Sequence, residues 1–147
     1  MPYCQIIYHL VFATKYREHT LVKPGRYELF QFMRSLLVNK GCYVHEINGV
    51  EDHLHIVIYL HPTVALASLI KDLKLAGTDF IKKNKLFPKF NGWQDSYAAF
   101  TYSSEAKYNL IRYVKNQEAH HQHTTSLEEL IKLLSEHEIE YNKQYLE

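Results

Sequence analysis

The chain has 147 residues and a mass of 17.4 kDa, the size of one domain with a core of its own. Hydrophobic residues make up 46% and charged residues 22%, which excludes a disordered chain. The formal charge of +1 excludes a polybasic tail but leaves room for a compact basic face.

Residues 4–13 (CQIIYHLVFA) read as a strand rich in β-branched and aromatic residues, followed by a polar loop over 14–22. Pro24 and Gly25 open a helix to about Lys40, with Leu29, Phe30, Met33, Leu36 and Leu37 on one stripe and Gly41 as its C-terminal cap. Residues 42–48 form a second strand, and Asn48, Gly49, Glu51 and Asp52 mark a turn into a third over 53–60. A helix from about Val64 to Lys83 carries Leu66, Leu69, Ile70, Leu73, Ala76 and Phe80 on its apolar face. After a loop over 84–96, residues 97–102 form a fourth strand. Ser103 or Ser104 can cap a third helix over 105–119. A last helix starts near Ser126, where Thr125 with Glu128, or Ser126 with Glu129, makes a capping box. This order predicts an α+β, ferredoxin-like β-α-β-β-α-β core over 1–102, with one four-stranded antiparallel sheet. The helices of 103–147 belong to the same single domain, and the sheet face away from the first two helices is either open or covered by them.

No apolar run reaches the roughly 18 residues of a membrane span, and the first residues lack a signal-like pattern. Two cysteines, Cys4 and Cys42, make no disulfide framework. The expectation is therefore a cytoplasmic protein with no membrane partner. What stands out is 12 Tyr and 10 His.

The third strand holds the chemistry. Leu54, Ile56, Ile58 and Leu60 alternate onto one face, which packs on the helices; His53, His55, Val57 and Tyr59 fall on the other. Two imidazoles roughly 6–7 Å apart along a strand can share one metal ion. On the third helix, Tyr113 and Gln117 stand at i and i+4 beside a stripe of Leu110, Ile111 and Val114. Docked by that stripe on the open sheet face, the helix brings both residues towards the histidines. Gln offers a hard carbonyl oxygen and Tyr a nucleophilic phenol. Lys71, Lys74, Lys82 and Lys85 cluster on the second helix, opposite its apolar face. Such a face is either plain solvated surface or a phosphate track. His120, His121 and His123 close the third helix, where cations are favourable.

Jointly these residues resemble the HUH-type single-tyrosine, IS200-like transposases of small bacterial insertion sequences. The resemblance runs from Tyr8-His9-Leu10-Val11-Phe12-Ala13-Thr14-Lys15-Tyr16-Arg17 through Asp52-His53-Leu54-His55 and Leu73-Lys74. It continues in Trp93-Gln94-x-x-Tyr97-x-x-Phe100 and ends in Tyr113-Val114-Lys115-Asn116-Gln117-x-x-His120-His121. It departs at Leu75-Ala76-Gly77-Thr78, where family members often carry Gly-x-Ser-Ser.

The resemblance implies a metal site of His53 and His55 with Gln117 as third ligand, and Tyr113 as nucleophile. It implies a homodimer that shares active sites between subunits, and single-stranded DNA with hairpins near the element ends as partner. A divalent ion, Mg²⁺ or Mn²⁺, would polarise the scissile phosphate, and a 5′-phosphotyrosine would store the bond energy for rejoining. Lys71, Lys74, Lys82, Lys85 and Arg17 are the candidate DNA contacts. The alternatives are a domesticated, repeat-associated tyrosine transposase and a non-catalytic hairpin-binding protein. A histidine-triad hydrolase fits poorly, because Val57 stands where it would need a further histidine.

Overall fold

The computed structural model describes residues 2–146. The elements run β1 (Ile7–Ala13), a 3-10 turn (Lys15–Arg17), α1 (Lys23–Asn39), β2 (Tyr43–Gly49), β3 (His53–Tyr59), α2 (Leu66–Asn84) and β4 (Ala98–Tyr102). Three helices follow, α3 (Lys107–Lys115), α4 (Gln117–His120) and α5 (Ser126–Glu136), and then a 3-10 turn at Lys143–Tyr145. The sheet order is β2-β3-β1-β4 with every neighbouring pair antiparallel, the expected ferredoxin-like α+β plan.

Strand alternation sorts the sheet into two unlike faces. Leu10 and Phe12 of β1 join Leu54, Ile56 and Ile58 of β3 in the main core. Leu29, Met33 and Leu37 of α1 and Leu69, Ile70 and Leu73 of α2 close over them. Gly41, with φ +86°, ends α1 in the left-handed conformation that favours glycine.

The other face is not open. Leu110 and Val114 of α3 pack on Ile7 and Val57. Leu133 and Leu134 of α5 pack on Val11 and Phe100. His55 pairs with Val11 across the β1–β3 ladder and stands two residues from Val57, so it lies where the two patches meet.

The third helix differs from the expected single run over 105–119: it breaks at Asn116, giving α3 and the short α4. Asn48 of β2, opposite His55 in the β2–β3 ladder, donates through Nδ2 to the carbonyls of Val114 and Lys115 at 3.0 Å each. Those carbonyls thus find partners outside the helix, which satisfies its end where it stops. Ser103 accepts from the amide of Ala106 at 3.2 Å, a cap on the turn that precedes α3. Of the two possible capping boxes at α5, Thr125 with Glu128 is the one formed.

Gly49 sets the tightness of the β2–β3 turn. A Cβ there would lie 2.5 Å from the carbonyl oxygen of His53 and 3.0 Å from the Cα of Leu54. Both are backbone atoms that cannot move without shifting β3. Gly49→Ala is expected to destabilise by about 1–3 kcal/mol, the usual cost of overpacking. A denaturant melt checks this, and wild-type stability would contradict it.

Candidate active site

His53 and His55 project from β3 to the second face and are both buried. Each ring is held through Nδ1. His53 Nδ1–H donates to Asp52 Oδ1 at 2.7 Å, and Ser126 Oγ–H of α5 holds the other Asp52 oxygen at 2.7 Å. His55 Nδ1 meets Nε2 of the buried His9 at 2.6 Å, and the two rings stack with centroids 4.9 Å apart. With both Nδ1 atoms engaged, both Nε2 atoms point to one spot.

That spot holds the carboxylate of Glu129, from the first turns of α5. Its Oε1 lies 3.1 Å from His53 Nε2, 2.8 Å from His55 Nε2 and 3.2 Å from His121 Nε2. Its Oε2 accepts from Gln117 Nε2 at 3.1 Å and from the Tyr113 hydroxyl, with His120 Nε2 at 3.3 Å. Tyr113 and Gln117 therefore do meet the histidines on one chain, although the helix break lies between them. The Tyr113 and His55 ring centroids are 6.0 Å apart. Gln117 is further fixed by its neighbour Glu118, which pairs with the buried Arg26 of α1 at 3.2 Å.

Burial and charge set the protonation states. Burial pulls the His53 pKa down, but the hydrogen bonds to Asp52 and Glu129 outweigh it and raise it to about 9. Burial drives His55 to about 4, against the pull of Glu129. Asp52 is brought to about 2: its burial favours the acid, and His53 and Ser126 overcome that. Glu129 likewise pays for burial, yet His121, His53 and His55 hold it ionised far below the usual carboxylate range. The Tyr113 phenol is pushed well above its ordinary value, by burial and then by the Glu129 charge, so it stays protonated beside that carboxylate.

The donor set suits a divalent cation. Ligand atoms of His53, His55, His121 and Glu129 all lie within 4.8 Å of one another. Gln117 Oε1, expected as the third ligand, is buried and has no hydrogen-bond partner. Both strand histidines have the Nδ1 support typical of metal-ligating imidazoles. A cleft of about 340 Å³, lined by Tyr102, Asn109, Tyr113, His120, Glu129 and Lys132 among others, leads from the surface to the phenol.

The predicted lysine contacts lie away from this centre, and Arg17 reaches it only through Ser126, the partner of Asp52. Lys74 turns inward and donates to the carbonyls of Gln94 and Ser96 at 2.6 and 3.0 Å. Lys71 and Lys82 are exposed on α2. Lys85 is exposed as the left-handed C-cap of α2 and so leaves the helical stripe. Arg17 donates to the Leu146 carbonyl and to Ser126 Oγ, at the edge of a second cleft of about 540 Å³ that includes Tyr97, Tyr141 and Tyr145.

Chain comparison decides the family. The family described as "Transposase IS200 like" matches residues 3–117. The chain belongs to that family. The ISDra2 transposase TnpA of Deinococcus radiodurans is 28% identical over 118 residues, which cover 77% of this chain and 84% of that protein. A crystal structure of a candidate transposase from Deinococcus radiodurans R1 superposes with a TM-score of 0.62 at 25% identity. It covers 79% of this chain and 93% of that one. A REP-associated tyrosine transposase bound to a REP hairpin shares the fold at 14% identity, with a TM-score of 0.61 over 82% of this chain and 72% of that one.

Within this transposase, sequence reasoning missed His9 and Glu129 as site residues, and read His120 and His121 only as groups closing a helix although both reach Glu129. His9 had a usable signal: strand alternation puts it with Ile7 and Val11 on the face of His53 and His55. Glu129 was visible only as one of two possible capping glutamates. No helix among the described residues is long and apolar enough to cross a membrane, and Cys4 and Cys42 are free thiols.

Proposed function

We propose that this transposase cuts and rejoins single-stranded DNA through Tyr113. The observation that carries this reading is the convergence of the Tyr113 hydroxyl, Gln117 and the His53–His55 pair on one buried spot. Tyr113 Oη attacks the scissile phosphorus and gives up its proton, matching the one the 3′-oxygen gains; the bond from phosphorus to that 3′-oxygen breaks, and the DNA 5′ end remains on the tyrosine as a phosphodiester. The free 3′-hydroxyl takes up a proton. Rejoining reverses the step, with a 3′-hydroxyl displacing the tyrosine, so no nucleotide triphosphate is consumed. His53, His55 and Gln117 are the residues that would hold the divalent ion, Mg²⁺ or Mn²⁺. When bound, that ion supplies positive charge for the phosphate and the leaving oxygen, and offsets the Glu129 charge that keeps the phenol protonated. Asp52 and His9 orient the two imidazoles.

The partner is single-stranded DNA folded into hairpins near the element ends, since paired strands would keep the scissile phosphate from the tyrosine. Unpaired bases suit the tyrosine-lined cleft at Arg17. The protein acts as a homodimer, with α3 serving its own sheet, as here, or that of a partner subunit. The test is incubation with single-stranded hairpin DNA and Mg²⁺ or Mn²⁺. A protein–DNA adduct stable to denaturant is expected, and its absence under every metal would refute the reading.

The exposed lysines of α2 track the backbone in this proposal, while Lys74 holds the 94–96 loop. Lys71→Ala combined with Lys82→Ala should lower the salt slope of binding by about 0.7 per lost contact on a single strand, or about 0.9 on a duplex stem. A slope equal to wild type would leave this face as solvated surface.

A further inference from the structure

The family match ends at Gln117, and Glu129 lies beyond it on α5. Yet Glu129 is buried and its carboxylate occupies the centre of the site. Tyr113, Gln117 and His55 can each donate to it, but not every neighbour can. His53 Nδ1 faces an ionised carboxylate, so its proton sits there. His121 Nδ1 faces the Thr124 carbonyl at 2.6 Å, so its proton sits there too. With one proton each, both rings aim an Nε2 lone pair at Glu129 Oε1, itself an acceptor; the extra proton that His53 holds in the metal-free chain is the charge a cation would replace. Gln117 Oε1 is a further buried acceptor with nothing to accept from. Several acceptors facing one another in a buried volume need either extra protons or a cation. One divalent cation carries the charge of two such protons and bonds to all of these atoms at once.

From this geometry we infer that Glu129 is a metal ligand of this transposase, with His121 beside it, in addition to His53, His55 and Gln117. The inference rests on the proposed metal centre and extends it. Ligand atoms within 4.8 Å of one another are near enough for these side chains to close on one divalent ion. Three imidazole nitrogens and a carboxylate favour Mn²⁺ over Mg²⁺, which prefers oxygen ligands and keeps its waters. Because α5 donates the carboxylate, metal also fastens α5 to the sheet. A helix outside the matched family region then becomes part of the centre.

The test is calorimetric titration of the full metal-free chain with MnCl₂ and with MgCl₂, together with its melting temperature before and after metal. Wild type should bind Mn²⁺ more tightly than Mg²⁺. Glu129→Gln, which keeps the shape and removes the charge, should bind Mn²⁺ at least about tenfold more weakly, since even an outer-shell partner is worth about 10–100-fold. Its metal-induced rise in melting temperature should shrink accordingly. Glu129→Asp should fall between the two, and it serves as the measured variant if Glu129→Gln does not fold. An Mn²⁺ affinity in the folded variant within twofold of wild type would overturn the inference. So would faster DNA cleavage at unchanged metal affinity, because Glu129 would then be a plug in the phosphate position. Loss of affinity in a His53→Ala/His55→Ala chain but not in Glu129→Gln would remove Glu129 alone and leave the two-histidine centre standing. Undiminished affinity in the double histidine variant, or no Mn²⁺ binding by wild type, would overturn both readings.

Discussion

Tyr113→Phe is expected to abolish the covalent protein–DNA adduct while the protein still folds and still binds hairpin DNA. The substitution removes one oxygen. The ring stays packed beside Ile7, Val57, Leu110 and Val114, so the apolar contacts that dock α3 survive. The lost hydroxyl leaves Glu129 Oε2 with Gln117 and His120 as remaining partners, and the stability change should stay within about 0.5–1.5 kcal/mol, the net worth of one hydrogen bond. Cleavage, by contrast, loses its nucleophile, and the rate should fall by a factor on the order of 10⁴ or more, as when other covalent enzymes lose theirs. Denaturing electrophoresis of the protein with labelled hairpin DNA separates the two effects. An adduct of wild-type yield from the Phe variant would assign the chemistry to another of the 12 tyrosines.

The second large effect is expected from His55→Ala. His55 is fully buried, bonded on one side to His9 and on the other to Glu129. Its removal takes away a metal ligand, leaves His9 Nε2 without its partner and opens a cavity between the α3 and α5 patches. Metal affinity should drop by more than the roughly 10–100-fold that an outer-shell partner is worth. The metal-dependent stabilisation, about 2.7 kcal/mol when free ion exceeds Kd a hundredfold, should vanish with it. Melting curves with and without Mn²⁺ read this directly. His53→Ala should lose the ion in the same way, and it also strands Asp52 beside Ser126. Adduct formation by His55→Ala in the presence of a chelator would show that no metal is needed.

Local pattern carried most of the fold. The period-2 alternation of β3 placed Leu54, Ile56 and Ile58 in the core and His53 and His55 on the opposite face, as found. The expectation that Tyr113 and Gln117 meet the histidines holds as well, through their shared partner Glu129, although the helix that was to carry both breaks between them. These inferences work because side-chain direction in a strand or helix is set by backbone geometry, which needs no knowledge of distant partners.

What the chain's local pattern left open are the features that depend on residues far apart in sequence. The break at Asn116 follows from Asn48, a residue of β2, drawing off the last carbonyls of α3. The inward turn of Lys74 follows from two carbonyls in the loop after α2. Glu129 is the sharpest case. Read locally, Ser126 and Glu129 formed a possible capping box. In the fold, Thr125 and Glu128 cap α5, while Ser126 is spent on Asp52 and Glu129 on the histidines. Composition and spacing determined that this chain has a two-histidine strand and a tyrosine helix. Only the docking of α5 on the sheet, through Leu133 and Leu134 against Val11 and Phe100, decided that a carboxylate completes the site. A buried charge is tolerated only where partners from several elements meet it, and no single stretch of sequence contains that set.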